Sequence, residues 1–120
     1  MLYLIRDCRG NETLVKIGSC KNIEQRMKTY KSHNPKANLI QFTTCPTEVT
    51  EGNSWLRDEK AIENICHQYF KQNNFKKVKG TNEWFAVPKG QKNYRFQDIQ
   101  EWAGPVSIFG DIISCKKIKN

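Results

Sequence analysis

The chain opens with two β-prone runs, Leu2 to Arg6 and Thr13 to Ile17, separated by a polar segment from Asp7 to Glu12 that holds the turn-forming pair Gly10-Asn11. That pattern predicts an antiparallel hairpin. Pairing symmetric about the six-residue connection sets Arg6 opposite Thr13, Ile5 opposite Leu14, Leu4 opposite Val15 and Tyr3 opposite Lys16. Directly opposed residues have Cβ atoms about 4.5 to 5.5 Å apart and share a face, so this register brings a phenol beside an ammonium. A slip of one residue would part them.

Gly18 closes the second run, and Asn22 caps a predicted helix, with Gln25 three residues on in a capping-box position. Ile23, Met27 and Tyr30, at i, i+4 and i+7, form its buried stripe, and Arg26 falls on the same side instead of the solvent face. The helix is expected to run to about Tyr30, before His33-Asn34-Pro35 stops it. Leu39 to Thr44 is the third predicted strand, closed by Cys45-Pro46 and followed by a polar loop over Thr47 to Asn53.

Ser54 caps the longest predicted helix, Trp55 to Lys71, in which Trp55, Ile62, Ile65, Cys66 and Tyr69 fall within one apolar arc. Glu63 sits on the shoulder of that arc, neither in the core nor free on the outer face. A lysine-rich loop carrying Lys71, Lys76, Lys77 and Lys79 leads to a short strand, Glu83 to Val87, ended by Pro88. A last helix is predicted from Tyr94 to Ala103, capped by Asn93 and stopped by Gly104-Pro105. The tail from Val106 to Asn120 holds one strand-like run and the basic cluster Lys116, Lys117 and Lys119.

A length of 120 residues fits one compact domain, and the 38% apolar content with 6 Phe, 4 Tyr and 3 Trp is enough to build its core. No apolar run approaches the roughly 18 residues needed to span a bilayer, so membrane insertion is not expected. Twenty Lys and Arg against twelve Asp and Glu leave a net charge of +8, which draws the chain towards polyanions and makes nucleic acid the leading partner class. The 5 cysteines, Cys8, Cys20, Cys45, Cys66 and Cys115, are widely spaced, form no C-x-x-C pair and have only 2 histidines beside them. They read as reduced thiols of an intracellular compartment, cytoplasm or nucleus, and argue against a disulfide framework or a structural zinc.

In order along the chain stand Met1-Leu2-Tyr3, Lys16-Ile17-Gly18, Arg26 within Gln25-Arg26-Met27-Lys28, Glu63 within Glu63-x-x-x-His67-x-x-Phe70, and Glu83-Trp84-Phe85. Each piece is common alone. Together, over residues 3 to 87, they resemble the GIY-YIG nucleases, in particular the K-I-G variant found in phage and large-virus proteins. The resemblance implies an α+β fold, a small three-stranded antiparallel sheet flanked by helices over residues 1–90, with a short extra helix and basic tail over 91–120 packed on it or extending it. It also implies a metal-dependent endonuclease that hydrolyses DNA phosphodiesters.

On that resemblance Tyr3 would be the base that activates water. A free phenol has a pKa of about 10, so ionising it at pH 7 costs roughly 4 kcal/mol, a penalty that a nearby cation must reduce. Lys16 stands where the family more often has a second tyrosine, and on charge grounds it would assist Tyr3. Arg26 would clamp the scissile phosphate through its planar fork, and Tyr30, one turn on, would hydrogen-bond the nucleophile or a phosphate oxygen. Glu63 would hold one Mg²⁺ or Mn²⁺ ion, with His67 at i+4 as the group orienting that carboxylate, and Lys71, Lys76, Lys77 and Lys79 would follow the DNA backbone.

Taken singly, these residues have plainer readings. Tyr3 and Tyr30 suit an amphipathic core, Arg26 can lie over apolar surface, Glu63 can pair with Lys60 or His67, and the lysines suit a solvated loop. A fold that binds nucleic acid without cutting it therefore stays open beside the nuclease, as does RNA beside DNA.

Overall fold

The structure, a computed structural model, describes residues 1–44, 52, 58–80 and 84–115. Strands β1 (Leu2–Arg9) and β2 (Glu12–Ser19) form the expected hairpin, but their connection is two residues long instead of six. Gly10, at φ +60°, supplies the left-handed first position that a tight hairpin turn requires. The polar residues expected in the loop extend the ladder instead, with Asp7 opposite Leu14 and Cys8 opposite Thr13. Asp7 tolerates burial at 3% exposure because the Arg9 Nε, two residues on and on the same face, donates to its carboxylate at 2.9 Å.

The sheet has six strands in the order β4-β5-β2-β1-β3-β6, not the three expected, and every pairing is antiparallel. Strand β3 (Asn38–Thr43) pairs with β1 across a register shift at Leu4/Ile5, and β5 (Trp84–Ala86) pairs with β2. Two short edge strands complete it. Lys76–Lys77, read from sequence as loop, is β4 against β5, and Ile112–Ser114 is β6 against β3. The first is two residues long, too short to register as an alternating pattern, whereas β6 lies in the tail where the sequence shows a strand-like run.

Alternation along β1 and β2 divides the core in two. Leu2, Leu4, Val15, Ile17 and Phe85 face Ile62, Cys66, Tyr69 and Phe70 of α2 (Glu59–Gln72) and Phe96 and Ile99 of α3 (Phe96–Ala103). Tyr3, Ile5, Leu14 and Trp84 face the other way, where Ile23, Met27 and Tyr30 of α1 (Ile23–His33) cover them. Asn22 caps α1 by accepting from the Gln25 N–H at 3.0 Å, and the helix runs one turn past Tyr30 before Asn34 ends it.

Helix α2 begins behind Asp58, whose carboxylate accepts from the Lys60 N–H at 3.0 Å. The Ser54 cap, Trp55, Glu83, all but Gly52 of the Thr47–Asn53 loop, and the Lys116, Lys117 and Lys119 cluster lie outside the described residues. Helix α3 starts at Phe96 behind Arg95, two residues later than expected, and Asn93 does not cap it. The Asn93 carbonyl is engaged by the Tyr69 hydroxyl, while the first helical N–H, of Phe96, donates to the fully buried Gln41 side chain at 2.8 Å.

Candidate functional site

Tyr3 is buried, at 2% exposure, on the α1 side of the sheet and opposite Gly18. The hairpin register differs from the expected one by two residues, so Ile5, not Tyr3, stands directly across from Lys16. A shift of two preserves the face. Tyr3 and Lys16 therefore remain diagonal neighbours on one surface, where a shift of one would have separated them.

The shorter turn also explains Gly18. A Cβ built there would lie 2.5 Å from the Tyr3 hydroxyl oxygen and 2.7 Å from its Cζ, so only glycine leaves space for the phenol against the strand. The Tyr3 and Tyr30 hydroxyls are 3.3 Å apart, with their rings edge-on at 6.1 Å. Lys16 Nζ lies over the Tyr30 ring, 5.0 Å from its centroid, and Trp84 meets the other edge of that ring at 6.4 Å.

Burial is the main force holding the Tyr3 phenol above its usual pKa of 10.0, and the Tyr30 hydroxyl adds to it. Arg26 opposes both. It is the cation that acts on Tyr3, whereas the sequence pointed to Lys16, whose ammonium is occupied over Tyr30. The guanidinium itself is solvent-exposed, not on the buried side as the helical period implied. It lines a cleft of 370 Å³ with Cys20, Lys21, Asn22, Gln25 and Thr29, and a neighbouring one of 710 Å³ that reaches Met1, Ser19 and Glu59.

Glu63 comes from α2, on the opposite face of the sheet, and at 7% exposure it is buried, not poised on the shoulder of the helix. Its neighbours fix its level. One turn before it, Glu59 pairs with the Met1 amine and acts on the Cys20 thiol; one turn after it, His67 Nε2 lies 3.3 Å from the Ile17 carbonyl oxygen. Eight helical residues rise about 12 Å. The three strand residues from Ile17 to Cys20 span about 10 Å. Glu63 therefore sits on α2 midway between the turn beside Met1 and the turn beside Ile17, on the face of the sheet opposite Tyr3. Among the described residues, β5 pairs with β2 from Leu14 to Lys16.

Among the described residues no group of three or more His, Cys, Asp and Glu comes together. An all-protein metal cage is thus not present there. A single carboxylate suits Mg²⁺, which commonly takes one or two carboxylates and completes its shell with waters and substrate phosphates. The basic side chains expected on the DNA path are exposed, with Lys71 at the end of α2 and Lys76 and Lys77 on the β4 edge, followed by Lys79.

Two participants were missed from sequence. Trp84, buried in the core on the α1 side of the sheet, also stands opposite Lys16 and against Tyr30. Cys20 touches the electrostatics of Tyr3 and is itself held above the usual thiol range, chiefly by burial. Neither had a signal in its own spacing, because each owes its place to strand pairing.

Comparison with curated proteins and with solved structures gave no match. The T5orf172 domain profile matches residues 1–104, which takes in the hairpin, α1, α2, β5 and α3. The chain belongs to the T5orf172 domain family, a phage-associated, nuclease-related family.

Proposed function

We propose that the chain is a metal-dependent DNA endonuclease of GIY-YIG type. The observation that carries this reading is the gathering of Tyr3, Tyr30 and Lys16 on one face of the sheet with Arg26 acting on the Tyr3 phenol, while Glu63 enters from α2 on the strength of the resemblance. Arg26, exposed in its cleft, would bind the scissile phosphate through two parallel N–H bonds. Tyr30 would orient the attacking water, and Tyr3 would take its proton. Lys16, over the Tyr30 ring, contributes positive potential where the phosphoryl oxygens gain charge.

A Mg²⁺ or Mn²⁺ ion held by Glu63 would neutralise a phosphoryl oxygen and the departing 3′ oxygen. His67, hydrogen-bonded at the Ile17 carbonyl, would steady the helix that presents Glu63. The free thiols of Cys8, Cys20, Cys66 and Cys115 suit a reducing intracellular compartment. No helix among the described residues is long and apolar enough to cross a membrane.

One observation favours the non-cutting alternative. Tyr3 is held protonated by burial and by Tyr30, which weakens it as a base at neutral pH. Incubation of supercoiled plasmid with Mg²⁺ or Mn²⁺ separates the two readings: the nuclease nicks or linearises it, Glu63→Ala and EDTA stop it, and the binding module leaves it intact under every ion. Equal cutting by wild type and Glu63→Ala would reject the metal assignment.

A further inference from the structure

A second basic site lies at the other end of the hairpin. Beyond the turn, Arg6, Tyr94 and Arg95 line a cleft of 830 Å³ together with Lys89 and Lys92, while among the described residues Glu12 is the only acidic one on its wall. The size falls within the range of ligand pockets. Arg6 is half-buried and donates to the Tyr94 hydroxyl at 2.8 Å, a neutral partner that orients the guanidinium without cancelling its charge. Tyr94 is itself buried at 8% exposure, and the Arg95 guanidinium lies 5.9 Å from its ring centroid. None of these four cations forms an ion pair with a described residue. A part-buried arginine held by a phenol, with three exposed cations around one cleft, is a donor set for phosphate oxygens.

We infer that this cleft binds the phosphate backbone of a nucleic acid segment flanking the one held at Tyr3 and Arg26. The inference rests on the proposed DNA partner but not on cleavage. Five residues of β1 separate Tyr3 from Cys8 on the cleft wall, about 17 Å of strand, equivalent to about five base pairs of rise at 3.4 Å each. Arg6 faces the α2 and α3 side and Tyr3 the α1 side, so a backbone joining them would round an edge of the sheet, and the β4 edge offers cations for it. There Lys76 and Lys77 are exposed, paired to the Phe85 and Ala86 strand that leads into the cleft wall.

The test is the salt dependence of duplex binding, measured by fluorescence anisotropy in EDTA so that no cutting occurs. The exposed triple variant Lys89→Ala/Lys92→Ala/Arg95→Ala is compared with a control of equal charge change, Lys28→Ala/Lys31→Ala/Lys36→Ala. Each lost phosphate contact lowers the slope of log K against log salt by about 0.9. Loss of three contacts therefore makes the fall in affinity between 50 and 200 mM salt about 40-fold smaller. The cleft variant should show this and the control should not; Arg6→Gln should lower the slope by about one contact, with an unchanged unfolding midpoint confirming that it folds.

Equal slopes for cleft variant and control would overturn the inference. Saturation of the cleft by a free nucleoside monophosphate at micromolar concentration, with the duplex slope unchanged in the triple variant, would overturn it in favour of a small-ligand pocket. Duplex binding with the expected slope change but no plasmid cutting would reject the nuclease reading and uphold the second site.

Discussion

Replacing Gly18 by alanine probes the packing on which the proposed base depends. Gly18 is not in the left-handed region, so alanine imposes no backbone strain, and restricting the unfolded chain would alone stabilise the protein by about 0.4–1 kcal/mol. Sterics oppose this. The new Cβ would meet the Tyr3 oxygen at 2.5 Å, against the 3.4 Å where ordinary contact begins, so the phenol or the strand must yield by about 0.9 Å. Tyr3, at 2% exposure and edge-on to Tyr30, has no free direction, and such overpacking costs about 1–3 kcal/mol.

The expected net destabilisation is about 1–2 kcal/mol, visible in urea unfolding and as a Tm lower by roughly 3–6 °C. A displacement of that size at a reacting group also costs about 10²-fold in rate, read by plasmid relaxation. In a Tyr3→Phe background the 2.5 Å contact disappears but the 2.7 Å contact with Cζ remains, so part of the stability cost should persist. Gly18→Ala with wild-type stability and full cleavage would refute the seating of Tyr3 against this strand.

Stability should decline as pH rises past 10.0, the usual pKa of the phenol, because the unfolded Tyr3 ionises there while the buried one resists; Tyr3→Phe should flatten that limb in pH-dependent urea melts. Burial raises the Cys66 thiol above its usual 9.0 in the same way, so Cys66→Ala should remove part of the decline that begins near that pH, at a separate cost for the cavity. Tyr30→Phe removes the hydrogen bond that helps hold Tyr3 protonated, and the rise of kcat/KM with pH should shift to lower pH. Arg26→Lys keeps the charge but not the planar fork, so kcat/KM should fall by at least about 10-fold, with the fold unchanged by circular dichroism. Gln41→Leu strands the Phe96 N–H and should cost about 1–3 kcal/mol in urea unfolding.

Elements defined by local periodicity were readable from the residues. The Asn22 cap, the β1–β2 hairpin, the β3 strand and the apolar arc of α2 all stand, because capping, alternation and the helical period act over a few positions. The side-chain face of Tyr3 and Lys16 was also correct, since period-two alternation survives an even shift in register. The motifs that resemble the GIY-YIG nucleases also lie, in order, within the region that the T5orf172 profile matches.

Pairing partners and depth were decided only by the tertiary structure. The two-residue turn, after which Arg9 satisfies the buried Asp7, sets the register that seats Tyr3 against Gly18, with Lys16 over Tyr30. A two-residue strand such as β4 carries too little pattern to be recognised without the neighbour whose backbone it satisfies, and the resemblance implied three strands where β5 and β6, both within strand-like runs of the sequence, join the same sheet. Glu63 and Tyr3 belong to opposite faces of the sheet, and Arg6 meets Tyr94 across 88 positions of sequence. Such meetings are set by global packing, and no local spacing encodes them.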